Sequence, residues 1–179
     1  MIARDSATLI EPIDARQERQ VEHATREWIH HARRLFRIPL EPIPVRFDLQ
    51  GRAAGMYRVT RGKRIIRYNP YLFAKYFEES LTTTVPHEVA HYVADILHGL
   101  HTIRPHGPEW RAIMQAFGIE PQATERYDLS GIPVRRQRQF DYHCRCGTHP
   151  LSTTRHNKIR RNQAVYFCKR CGERLVRSP

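Results

Sequence analysis

All four cysteines of the chain lie between positions 144 and 171, in two close pairs, Cys144-Arg145-Cys146 and Cys168-Lys169-Arg170-Cys171. A segment of that size is too small for a core of its own and needs a cross-link to fold. No secretory apolar region follows Met1, so a reducing, cytoplasmic setting is expected, where paired cysteines read as metal ligands before disulfides. The second pair, with Gly172 behind it, has zinc-knuckle spacing. The first pair is shorter, which leaves His149 open as a substitute ligand. The repeat of Tyr142-x-Cys144 in Tyr166-x-Cys168 favours Cys144, Cys146, Cys168 and Cys171 as the four ligands of one structural zinc.

The charge is concentrated in the same region. Residues 131–179 carry 12 basic and 2 acidic side chains, whereas residues 1–130 carry 18 and 16. Arg155, Lys158, Arg160 and Arg161 fall between the pairs, and Tyr142, Tyr166 and Phe167 interleave with the cations. Cations for phosphates and aromatics for bases suit single-stranded or irregular nucleic acid. The competing reading of the aromatics is packing around the metal. Ser130-Gly131-Ile132-Pro133 followed by Arg135-Arg136-Gln137-Arg138 reads as a boundary, giving a domain over 1–130 and a basic zinc ribbon over 131–179. No neutral apolar stretch approaches the roughly 18 residues of a membrane span.

In the first domain the period predicts a helix from Asp14, its N-cap, to Arg37. Its buried face is expected to hold Val21, Ala24, Trp28, Ala32, Leu35 and Phe36, with the charged remainder simply solvated. Residues 40–69 alternate instead. Three short, antiparallel strands are expected, at 45–49, 53–59 and 64–68, the last two joined through a Thr60-Arg61-Gly62-Lys63 turn. A helix over 70–77 begins at Asn69-Pro70. Further helices are expected over 81–97, with Pro86 awkwardly placed, and over 108–117. The class is α+β, helices on a small antiparallel sheet.

The helix over 81–97 contains His87-Glu88-Val89-Ala90-His91. Histidines at i and i+4 stack on one face, so both imidazoles reach one metal ion, and Glu88 beside them can act as general base toward a bound water. A catalytic zinc needs a third ligand. His98 lies two turns beyond His91, too far along the helix. His106, in the turn Pro105-His106-Gly107-Pro108, is favoured, with His101 and Glu109 as alternatives. Tyr92 and Tyr127 are possible oxyanion donors, against the commoner reading of each as a packing residue.

The string Val85-Pro86-His87-Glu88-Val89-Ala90-His91, the 15-residue step to His106 and the His106-Gly107-Pro108-Glu109-Trp110 loop resemble the SprT family of zinc metalloproteases, its bacterial members in particular. The likeness continues through His156-Asn157 and Tyr166-x-Cys168-x-x-Cys171-Gly172 and spans about residues 15–176. It implies a zincin-like domain with a C-terminal zinc ribbon, two zinc ions (one catalytic, one structural), His87, His91 and His106 as ligands and Glu88 as base. Eukaryotic relatives such as Spartan cleave proteins crosslinked to DNA, which makes a DNA-associated protein the expected substrate. The competing class is a zinc-containing, nucleic-acid-binding regulator without turnover, in which an intact Glu88 has no purpose. A nuclease fits less well, because hard-metal sites cluster carboxylates.

Overall fold

The computed structural model describes residues 9–123, 127–133 and 138–177, in two compact units, 1–134 and 135–179. The expected linker run Arg135-Arg136-Gln137 lies outside the described residues.

In the first unit, helix α1 (Ala15–Phe36) starts from a capping box in which Asp14 accepts from the Gln17 N–H at 2.7 Å and the Gln17 side chain accepts from the Asp14 N–H. Its buried stripe is Val21, Thr25, Ile29 and Ala32. The expected face was rotated too far: Leu35 is 44% exposed, and Trp28 and Phe36 pack only at the margin of the core. The centre of the stripe is Thr25, a polar residue that apolar periodicity passes over. It is satisfied by the Val21 carbonyl at 2.8 Å and the buried Tyr68 hydroxyl at 3.0 Å.

The sheet is β1 (Val45–Arg46), β2 (Gly55–Thr60) and β3 (Lys63–Tyr68), in the order β1-β3-β2. β2 and β3 form the expected hairpin, its two turn residues Arg61 and Gly62 both at positive φ. The all-antiparallel expectation fails at β1, which joins the far edge of β3 in parallel through Val45↔Ile66. The chain crosses from one side of β3 to the other before forming the hairpin, a choice local patterning does not encode.

Asn69 caps α2 (Pro70–Lys75) through the amides of Tyr71 and Leu72. The single expected helix breaks at Tyr76, and α3 (Phe77–Thr82) follows. Helix α4 (Thr84–His98) resolves the placement of Pro86, which is its third residue, in the first turn where an N–H has no intrahelical acceptor. α5 (Pro108–Ala116) starts at Gly107. Val85, Val89, Ala90 and Val93 of α4 pack with Val21 and Ile29 of α1, Ile66 and Tyr68 of β3 and Trp110 and Met114 of α5.

In the second unit, β4 (Gln139–Cys144) pairs with β5 (Gly147–Ser152) and β6 (Val176–Arg177), and α6 (Thr153–Arg160) lies beside them. Its core is small: Tyr142, Leu151, Cys168 and Leu175. His156 of α6 is buried with its ring stacked on Phe140 at 3.6 Å and its Nδ1 3.0 Å from the Tyr142 hydroxyl. Among the described residues no helix is long and apolar enough to cross a membrane.

Candidate functional site

Helix α4 presents His87 and His91 one turn apart, and the turn before α5 brings His106 to meet them. The three Nε2 atoms lie 3.0, 3.1 and 3.2 Å from one another. His106 holds a left-handed backbone conformation, φ 57°, and Gly107 follows in a turn closed by its N–H on the Arg104 carbonyl at 2.9 Å. Trp110 forms the floor. Its ring centroid is 4.6–5.6 Å from all three imidazoles, and its indole N–H donates to the His87 carbonyl at 3.3 Å.

Burial pushes His87 down to about 4 and His91 down to about 3, and lowers His106 as well. At neutral pH the three rings are therefore uncharged, with one nitrogen from each converging on a common point. Hydrogen bonds among three such nitrogens cannot satisfy the arrangement, but a cation can. The spacing fits, to within a few tenths of an ångström, three nitrogens bound at about 2.0–2.1 Å to one tetrahedral zinc. His101 and Glu109, the alternative third ligands, lie outside this cluster.

Glu88 is buried beside it, in the wall of an open cleft of about 410 Å³. Burial pushes its carboxyl up to about 8, opposed by the Tyr57 N–H, which donates to Oε2 at 2.6 Å. The carboxylate fits because β2 opens with glycine: a Cβ on Gly55 would stand 2.5 Å from Glu88 Oε1 and 2.8 Å from Cδ. We expect Gly55→Ala to displace Glu88 while leaving the histidines in place. Metal binding at the histidines should be unchanged, and any hydrolysis that uses Glu88 as its base should fall about 100-fold, the scale of an ångström-sized misplacement. Full turnover in that variant would show that the contact does not set the carboxylate.

Tyr57 is tied to α4 a second time. Its hydroxyl donates to Asp95 Oδ2 at 2.6 Å, where Arg64 Nε also donates at 2.7 Å, and its ring stacks on Tyr92. Tyr92 is buried and donates to the Glu41 carbonyl at 3.1 Å, so it is a packing residue. Tyr127 does line the cleft, its hydroxyl 3.2 Å from Thr84 Oγ1. Sequence reasoning missed Gly55, Tyr57 and Asp95. The run Ala53-Ala54-Gly55 ahead of a strand was the available signal for a close approach.

In the second unit the sulfur atoms of Cys144, Cys146, Cys168 and Cys171 gather within 4.8 Å of one another, as free thiols. Cys146 Sγ is 3.3 Å from Cys144, 3.4 Å from Cys168 and 3.6 Å from Cys171. Cys144 ends β4 opposite Gly147, and Cys146 is the second residue of the two-residue turn between them. His149 Nε2 touches Cys144 Sγ at 3.1 Å but stands outside the group of four. Backbone N–H groups of Cys171 and Arg170 lower the Cys168 thiol to about 6 and so favour the thiolate a metal takes. The donor set suits zinc in a closed site. Tyr142 and Tyr166 are consumed by packing, whereas Phe167 is 60% exposed.

A family model described as the SprT-like family matches residues 18–135. The chain is 39% identical over 136 residues to "Protein SprT" of Vibrio parahaemolyticus, covering 75% of this chain and 78% of that one. It is 35% identical over 161 residues to the protein of that name from Klebsiella pneumoniae subsp. pneumoniae, covering 89% and 92%. To that from Pasteurella multocida it is 31% identical over 159 residues, covering 88% and 92%. No solved structure matches significantly.

Proposed function

The chain belongs to the SprT-like family, and from that premise we propose that it is a zinc-dependent metalloendopeptidase acting on DNA-associated or DNA-crosslinked proteins in the cytoplasm. One observation carries the chemistry: three uncharged imidazoles converge beside a buried carboxylate at the wall of an open cleft. His87, His91 and His106 would hold the catalytic ion. When bound, zinc supplies Lewis acidity toward a peptide carbonyl and makes a water more acidic. Glu88, aimed by the Tyr57 N–H, takes a proton from the attacking water at its carboxylate and returns it to the leaving amine. Its burial raises its basicity toward the operating pH, as a group with both duties requires. Tyr127, on the cleft wall, is the tyrosine we assign to the developing oxyanion.

The four cysteines would hold a second, structural zinc, and the ribbon's cations with exposed Phe167 would engage single-stranded DNA. The test is hydrolysis of a basic DNA-binding protein by chelated and zinc-reloaded enzyme, with and without single-stranded DNA. Cleavage by the reloaded enzyme alone, increased by DNA, is expected. Intact substrate under every condition, with zinc confirmed at the histidines, would refute the peptidase reading.

A further inference from the structure

Helix α1 carries Arg16, Arg19, His23, Arg26, His30 and Arg33, and all six are exposed. Their steps are three, four, three, four and three residues, so they run down one face, opposite the buried Val21, Thr25, Ile29 and Ala32. A merely solvated helix face intersperses both signs and pairs them at i, i+4. Here Glu18, Glu22 and Glu27 flank the row; Glu22 and Arg26 stand at i, i+4, yet none of the six cationic or imidazole groups is in an ion pair with a described residue. The near-balanced charge of residues 1–130 conceals a segregation that appears only when the helix is wound.

We propose that this face of α1 is a binding surface for the sugar–phosphate backbone of duplex nucleic acid, separate from the basic ribbon. The row extends about 26 Å at 1.5 Å per residue. A duplex of that length carries about 15 phosphates, one per roughly 1.7 Å of axis. Every fixed cation in the row is arginine, whose planar fork matches phosphate oxygens in pairs. No Phe, Tyr or Trp stands in the row, and four of its six members are arginines, so it chiefly reads charge on a rigid backbone and no sequence. A membrane surface is a poorer match, because lipid-bound helices insert their apolar face and that of α1 is buried in the core. The surface extends the nucleic-acid half of the proposed function. It is read by binding alone, so a failure of the peptidase reading leaves it standing.

The experiment uses the full-length, zinc-loaded chain with a labelled 20-base-pair DNA duplex and the matching single strand, titrated between low and moderate salt. Arg19→Gln/Arg26→Gln/Arg33→Gln should weaken duplex binding at least tenfold at 0.1 M salt. It should also lower the slope of log affinity against log salt by about 2.7, or 0.9 per lost contact. Single-strand affinity should change less than twofold. Glu22→Gln/Glu27→Gln, which removes flanking acids without touching the row, should tighten duplex binding. Unchanged melting temperature and zinc content establish that both variants are folded. Unchanged duplex affinity and slope in the arginine variant overturn the proposal. An equal loss on the single strand, or on vesicles containing phosphatidylserine, overturns its assignment to duplex nucleic acid.

Discussion

Replacing Glu88 by Gln is expected to lower peptide hydrolysis about 1,000-fold, within the range that a positioned acid–base group contributes, with zinc content unchanged. The same variant carries a second, independent signature in the metal-free protein. Burial raises the Glu88 carboxyl from 4.5 to about 8. Between those values the folded chain keeps a proton at Glu88 that the unfolded chain releases, so the Glu88 contribution to stability falls as pH rises, by roughly 1 kcal/mol per pH unit, while the three lowered histidines act in the opposite sense in wild type and variant alike. Gln has no proton to lose. The chelated variant should therefore gain on chelated wild type from pH 5 to pH 8 and hold its advantage above that. Urea unfolding at pH 5, 6.5 and 8 measures this. Parallel pH dependences would mean that Glu88 ionises freely in the fold and is not the tuned base described above.

The second large effect is in the ribbon. Its buried set is Tyr142, Leu151, Cys168 and Leu175, far too little to fold without a cross-link. Structural zinc in such small modules contributes on the order of 10–16 kcal/mol at neutral pH. Cys168→Ser should remove the ribbon's metal, the second of the two zinc ions proposed above, and abolish amide-exchange protection across β4, β5 and α6. Amides of α4, in the other unit, should stay protected. Persisting protection in the ribbon with a single zinc bound would show that its hydrogen bonds, and not the metal, hold it together.

Much of this was legible in the sequence where local rules act. Asp14 and Asn69 announce their helices because each side chain satisfies amides two or three residues on. His87, His91 and His106 were found because helical spacing and a proline-terminated turn are short-range facts. What escaped depends on contacts between distant segments. Thr25 belongs in the core only because Tyr68, 43 residues away, offers its hydroxyl. β1 runs parallel because of a crossover. α6 went unread because a charged stretch with a low apolar content hides one buried histidine, held by Phe140 and Tyr142. Gly55 passed unremarked inside the expected strand over 53–59, because only the fold shows that Glu88 occupies the volume its side chain would fill.

Tyr57 meets α4 at two places, its amide at Glu88 and its hydroxyl at Asp95, seven residues or about 10 Å apart along the axis. A single attachment would leave strand and helix free to swivel about it; two attachments remove that degree of freedom. Because His87 and His91 ride on the same helix, the base, two of the imidazoles and the strand beside the cleft form one rigid frame. Only His106, carried by its own turn, reaches that frame from outside. Adjustment to ions of different radius therefore falls to the His106 turn and leaves the alignment of the base unchanged.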